Sequence, residues 1–434
     1  MKLSKIEIKN FKSFNELFID LNNFNIMIGA CASGKSNFIE FFKFLKDIPD
    51  DFRKAISKHG GEYLKNFKTN SINDTCFLKI KFEKDNKKGY FYPILGSRLG
   101  LTKDEVILID FDSIEYGINF NFKNLYSYEV IKEVVTFQCS FYHLTKDDDD
   151  KDIISTFDED HKFSENEIIL KNVHGEISAE LTGDNEFVKL DDIIPNSLLD
   201  IAMNKNDEEI LIINSPLASI PIPWSSLFKK LSFYDINPKL CKSINAIESD
   251  SILNEHGSNL SIILDMILQS DENRRKFLNL VKNILPYVED VTIENIVREH
   301  KIFQLLENYH DFTVPAPLIS DGTGDILALI VALYFEKSEF ILIEEPERNI
   351  HPALISKIVQ MMEDASRNKQ IIITTHSPEV LRSAKLEDIF LISRNNEGYS
   401  QISKPVNNET LKPFIEDLGI DEIFVNNYLE IKNG

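Results

Sequence analysis

"GACASGKSN", residues 29–37, is the stretch on which the reading of this chain turns. It fits the pattern G-x-x-x-x-G-K-S, with Gly29, Gly34, Lys35 and Ser36 at the fixed positions. Glycines let a backbone fold closely around phosphate oxygens, and the amides of such a loop and of a following helix point at the anion. A lysine at this place reaches the outer phosphates, and the serine hydroxyl ligates Mg2+. The pattern carries that meaning only between a strand and a helix. Upstream, the run Asn25-Ile26-Met27-Ile28 reads as a buried strand entering the loop. Downstream, Phe38, Phe41, Phe42 and Leu45 recur on one face of a helix. The context is the required one, so residues 29–37 are expected to hold a nucleotide.

Three further stretches lie near the other end of the chain. "ILIEEPE" (341–347) is an apolar strand that delivers Glu344 and Glu345 at its C-terminal end, where ligands sit in open parallel sheets. One carboxylate suits a Mg2+ shell and the next suits orienting a water; Glu344 takes the metal and Glu345 the water. "TTHSPE" (374–379) ends another apolar strand with His376, within reach of the same phosphate or water if the two strands are neighbours. "ISDGTGDILALIVAL" (319–333) makes a turn at Ser320 to Thr323 and then a helix. By itself it is a capped helix or a second anion site. Buried strands alternating with helices here predict a mostly parallel sheet.

The bulk properties narrow the function. With 434 residues, 43 % hydrophobic and 10 % aromatic, the chain can bury a large core. No apolar run reaches membrane-spanning length, and "MKLSKIEIKNF" lacks the apolar centre of a signal peptide, so a cytoplasmic protein is expected. The four cysteines, Cys31, Cys76, Cys139 and Cys241, show no zinc-like or disulfide spacing. A net charge of −22 disfavours extended contact with nucleic acid and suits a protein partner. Arg274, Arg275 and Lys276 form a small basic cluster, read most simply as part of a solvated helix face.

Between the two ends, alternation predicts strands at 76–82 and 134–144, with a turn at "NKKG" (86–89). The acidic stretch "KDDDDKD" (146–152) reads as a solvated loop. Residues 258–286 carry helical periodicity, and no heptads persist long enough for a coiled coil.

Taken in order, "IEIKNFKSF", "IMIGACASGKSNFIE", "GSNLSIIL", "LISDGTGDILAL", "ILIEEPERNIHP", "IIITTHSPEVL" and "FIEDLGIDEIFVNNYL" resemble the ABC-type ATPases of the RecF, SMC and OLD branch. The likeness is closest to stand-alone bacterial AAA-type ATPases with an ABC head, and it is weakest from about residue 95 to 230. It implies a P-loop α/β head with a mixed sheet, an antiparallel β subdomain, an inserted mainly helical region and no long coiled coil. The implied division is 1–145, an inserted 146–310, and 311–434.

The resemblance also implies a ligand set. ATP would lie against Gly29, Ala30, Cys31, Ala32, Ser33, Gly34, Lys35, Ser36 and Asn37, with Lys12 nearby. Mg2+ would be held by Ser36 and Glu344, and by Gln138 if "TFQCSF" is the Q-loop. Lys35, Glu345 and His376 would carry catalysis. Ser320 and Gly322 would contact the ATP of a second copy packed head to tail, with His351 at the D-loop. A homodimer, or a higher even-numbered oligomer, is therefore implied. So is an effector, a nuclease or toxin encoded nearby, as in anti-phage defence.

The loop departs from the family at two positions, where Cys31 and Ala32 replace the usual Asn and Gly. If the second needs positive φ, Ala32 costs about 1 kcal/mol. Cys31 beside a helix start and Lys35 has the setting of an oxidisable thiol, or is simply a small residue. Two other functions remain open: a RecF-like DNA maintenance ATPase, and a weakly hydrolysing ATP-binding scaffold.

Overall fold

The computed structural model describes residues 1–434 apart from 66–74, 86–88, 96–98, 101, 103–104, 125–126, 146–160, 185–186, 204–210, 247–251, 297–299, 410–411 and 427–434. The acidic stretch, most of the "NKKG" turn and the last residues of the family-like tail lie outside the described residues. The chain divides into two compact units. One comprises Met1–Leu21, Ser36–Lys230 and Glu397–Gln401, and the other Asn22–Lys35, Leu231–Asn396 and Ile402–Gly434.

The first unit is built on an antiparallel sheet. Its strands run in the order Phe14–Asp20, Lys2–Phe11, Cys76–Glu83, Glu105–Asn124, Ser127–Thr145, Lys162–Val173 and Glu176–Gly183, with Phe91–Leu95 paired to Glu105–Asn124. Strand Cys76–Glu83 alternates buried and half-buried residues, as a sheet with one packed face requires. The helix Lys35–Asp47 buries Phe38, Phe41, Phe42 and Leu45, the face its periodicity predicts, and Phe44 with them. Phe11 meets Phe41 edge to face at 5.8 Å, and Phe52 meets Phe120 at 5.4 Å. Strands Lys162–Val173 and Glu176–Gly183 come from the region read as an insertion and extend this sheet.

The second unit is built on a six-stranded sheet in the order Leu231–Tyr234, Phe340–Glu344, Gln370–Thr375, Phe24–Ile28, Ile389–Arg394 and Ser400–Ser403. The first five pair in parallel. Strands Phe24–Ile28 and Gln370–Thr375 are buried at every residue, which is why they read as largely apolar runs. Helices Leu260–Leu268, Asp271–Ile284, Asp321–Tyr334 and Pro352–Ala365 share this unit's core with a small antiparallel sheet that includes Val288–Asn295 and His300–Glu307. The longest of the described helices have 14 residues, so none is a coiled-coil arm. Among the described residues no helix is long and apolar enough to cross a membrane.

Candidate active site

Parallel strands carry their loops at one end, so sheet order dictates which side chains meet. Four neighbouring strand ends of the second unit bear a continuous row of polar groups. Asp235 follows the edge strand Leu231–Tyr234, and Glu345 follows Phe340–Glu344. His376 follows Gln370–Thr375, and the loop carrying Lys35 follows Phe24–Ile28. The His376 imidazole stands 3.3 Å from Lys35 Nζ through Nδ1 and 3.2 Å from Glu345 Oε1 through Nε2. An ammonium only donates, so Nδ1 accepts and the ring proton on Nε2 faces Glu345. Glu345 Oε2 in turn accepts from Arg348 Nη2 at 3.1 Å and Nε at 3.3 Å, and Arg348 Nη1 donates to Asp235 Oδ1 at 3.0 Å.

The loop itself is tightly drawn. Lys35 is buried and donates to the carbonyls of Gly29 at 2.6 Å and Ala30 at 3.0 Å. Burial pushes its ammonium below the ordinary lysine value, against the pull of Cys31 and Glu345. Gly34 has φ of +121°, a region only glycine occupies freely. A Cβ on Gly29 would lie 2.2 Å from the Ile392 carbonyl oxygen, so that position admits no side chain. Ala32 has φ of +62°, with its carbonyl accepting from Arg394 Nε at 2.9 Å, so the alanine does sit where a glycine is usual. Ala30 and Cys31 are exposed, and Ser33 is buried.

After Glu344 the chain makes two left-handed residues, Glu345 at φ +43° and Asn349 at φ +61°. The second brings this turn against the helix that starts after Ser320. Ser320 caps that helix, its Oγ accepting from the Thr323 amide at 3.2 Å. A Cβ on Gly322 would lie 2.4 Å from the Asn349 carbonyl oxygen, and Asn349 Nδ2 donates to Asp325 Oδ2 at 3.0 Å. Desolvation raises the Asp325 carboxyl to about 6. Glu347 accepts from Thr375 Oγ1, and burial raises its carboxyl too. His351 caps the next helix through Nδ1, which accepts from the Ala353 amide at 3.2 Å.

The remaining expected residues are placed in the first unit. Lys12, at φ +48°, reaches Glu40 at 3.4 Å, and Asn37 donates to Ser13 Oγ at 2.7 Å. Ser36 is exposed in the first turn of the helix Lys35–Asp47. Gln138 departs from the Q-loop expectation. It lies in the interior of strand Ser127–Thr145, opposite Ser113 and Glu167, and its amide donates to Glu167 Oε1 at 2.7 Å. A residue paired on both sides is not on a loop, so it leaves the proposed ligand set. In the second unit, Arg274 of the basic cluster donates through Nη2 to both Asp290 carboxylate oxygens, at 2.6 and 2.8 Å, which neutralises the cluster in part.

Sequence reasoning missed Asp235, Arg348, Asn349 and Asp325. Arg348 and Asn349 lie inside a motif already in hand. Asp235 gave no signal, because only the pairing of Tyr234 with Ile343 brings its strand end beside Glu345.

The residues present fit a nucleoside triphosphate, with Glu344 at a strand end, where its carboxylate can serve a cation accompanying it. A backbone-only loop opens a helix, a buried lysine is held by loop carbonyls that it can leave, and Glu344 ends the strand on whose far side His376 follows. Together with the parallel sheet they define a P-loop ATPase with an ABC-type head. Residues 24–382 match the family described as "AAA domain, putative AbiEii toxin, Type IV TA system", and the chain belongs to that family. It is 20% identical over 415 residues to the "Retron Ec83 probable ATPase" of Escherichia coli, covering 92% of this chain and 72% of that one. It is 23% identical over 403 residues to "Endonuclease GajA" of Bacillus cereus, covering 88% of this chain but only 56% of that protein. Among solved structures, the SMC head domain from Thermotoga maritima aligns over 93% of this chain and 99% of that one, at 12% identity and a TM-score of 0.41.

Proposed function

We propose that this chain is a Mg2+-dependent ATP phosphohydrolase of the cytoplasm that closes head to tail on a second copy around ATP. Closure and hydrolysis switch a partner effector, a nuclease or toxin, in bacterial defence against phage. The observation that carries the enzymatic part is the Lys35–His376–Glu345 row across neighbouring strand ends. Family membership and the likeness to a retron ATPase and an endonuclease support the defence part. The net charge of −22 favours a protein partner over broad DNA contact.

In this reading Lys35 exchanges its two loop carbonyls for phosphate oxygens. Mg2+, held by Ser36 and Glu344, would neutralise charge on the outer phosphates. Glu345 orients the attacking water and accepts its proton, while His376 holds Glu345 Oε1 toward the lysine. Ser320 and the Gly322 amide, at a helix start, address the phosphates of the second copy's nucleotide. The turn at Asn349 packs on Gly322 and so ties that contact to Glu345 within one chain.

The test is the solution mass of Glu345→Gln with Mg2+-ATP and with ADP. A rise to dimer with ATP alone, abolished by Ser320→Arg, is the expected result. A mass indifferent to nucleotide, with ATP affinity intact, would sink the switch and favour the scaffold. Ala32 at φ +62° is the observation on the scaffold's side, since strain in the loop weakens closure rather than recognition.

A further inference from the structure

Arg348 is the member of the row that the hydrolysis reading leaves without work. Its planar fork spends two donors on one oxygen of Glu345, Nη2 at 3.1 Å and Nε at 3.3 Å, and a third on Asp235 Oδ1 at 3.0 Å. The other Glu345 oxygen faces His376 at 3.2 Å. The carboxylate is therefore held from both sides, one oxygen by the guanidinium and one by the imidazole. Glu345 sits on a left-handed residue at the end of a strand, and its side chain has several torsions to spare. His376 alone contacts one oxygen and leaves the carboxylate plane free to turn. Arg348 converges two donors on Oε2 while His376 holds Oε1, so the two together fix the carboxylate plane, which His376 alone does not.

Asp235 fixes the guanidinium in turn. It follows the edge strand Leu231–Tyr234, whose Tyr234 pairs with Ile343, two residues before Glu345. The sheet thus sets Asp235 beside the turn that carries Arg348. The backbone closes that turn as well, the Arg348 amide donating to the Glu345 carbonyl at 3.0 Å.

We infer that Arg348, anchored by Asp235, is a positioning residue for ATP hydrolysis: it holds the Glu345 carboxylate so that Oε1 faces His376 and the attacking water. This rests on the reading of Glu345 as the water-orienting group. The side chains of Arg348, Glu345 and Asp235 are 44%, 31% and 34% exposed. Ion pairs so open to water do little for folding, so what their loss removes is orientation. Orientation is needed at the transition state and not for binding ATP, so the effect belongs in kcat.

The experiment measures steady-state ATP turnover, ATP affinity and thermal melting for wild type, Glu345→Gln, Arg348→Ala, Arg348→Lys, Asp235→Asn, Asp235→Ala and the double variant Arg348→Ala/Asp235→Ala. Misplacing a catalytic group by about 1 Å costs up to roughly a hundredfold in rate, so Arg348→Ala is expected to lose about tenfold or more in kcat. ATP affinity and melting temperature stay near wild type. Arg348→Lys recovers little, because it cannot span both carboxylates. Asp235→Asn still accepts a hydrogen bond and falls between wild type and Asp235→Ala. The double variant falls no further than Arg348→Ala, because Asp235 acts only through the arginine.

Wild-type kcat in Arg348→Ala, with Glu345→Gln inactive, overturns the clamp and leaves the hydrolysis reading standing. Losses that multiply in the double variant also overturn it. Turnover in Glu345→Gln equal to wild type removes the reading of Glu345 and the clamp with it. If Arg348→Ala unfolds, the two Asp235 variants carry the comparison, and equal kcat in both and in wild type is then the overturning result.

Discussion

At the scale of single residues, Ala32 is a cost the chain carries in its nucleotide loop. A Cβ in the left-handed region crowds the following carbonyl by about 1–2 kcal/mol. Glycine would relieve this and give back part through its freer unfolded chain. Ala32→Gly is therefore expected to raise the unfolding free energy by about 0.5–1 kcal/mol, with ATP affinity unchanged or tighter. Urea denaturation and nucleotide titration check both, and a drop in stability would show that this φ is not strained. The loop pattern left positive φ at this position conditional, and the structure places Ala32 there at +62°. The roles of Arg348 and Asp235 were not foreseen, because spacing along a chain says nothing about which strand becomes the neighbour of which.

At the scale of elements, the helix Asp321–Tyr334 and the turn after Glu344 are fitted to each other at Gly322. Helix propensity alone says that alanine there would help by up to about 1 kcal/mol. Packing says the reverse, because the new Cβ would stand 2.4 Å from the Asn349 carbonyl oxygen. The contact is to backbone, so neither side can yield cheaply. Gly322→Ala is expected to destabilise by about 1–3 kcal/mol and to abolish ATP-dependent dimerisation. Chemical denaturation and solution mass decide it, and a stabilised variant would mean that the turn moves freely.

Elements buried on both faces were the legible ones. Phe24–Ile28, Phe340–Glu344 and Gln370–Thr375 announced themselves as largely apolar runs, and their loops with them. Strands Lys162–Val173 and Glu176–Gly183 did not, because one face is exposed and many of its residues are charged or polar. Gln138 was misread for a related reason: it is an exposed polar residue on a long strand, and its alternation was shared by the whole strand.

At the scale of the whole molecule, pH bears on stability through a carboxylate far in sequence from the loop. Glu133 is buried in the first unit and accepts from the amides of Ile212 at 2.6 Å and Ile213 at 3.1 Å and from Tyr116 at 3.2 Å. Desolvation outweighs these bonds and lifts its carboxyl from 4.5 to about 7. The folded state then holds more proton than the unfolded chain between those two values. Stability contributed by this group is full below 4.5 and declines as pH rises through about 7. Glu133→Gln should flatten that decline, and denaturation midpoints taken from pH 4.5 to 7.5 compare the two proteins. An identical slope in the variant would show that another group governs it.

The strand Phe24–Ile28 lies between Gln370–Thr375 and Ile389–Arg394 in the sheet, and Asn25 donates to the Ile371 carbonyl 346 positions later in the chain. During synthesis, then, the nucleotide loop leaves the ribosome well before the strands that wall its site. A nascent or prematurely terminated polypeptide that stops short of Gln370 carries the whole G-x-x-x-x-G-K-S stretch, yet has neither flanking strand to seat it. The nucleotide loop is thus seated only once residues 370–394 have been made, so a fragment lacking them carries the motif without the sheet that positions it.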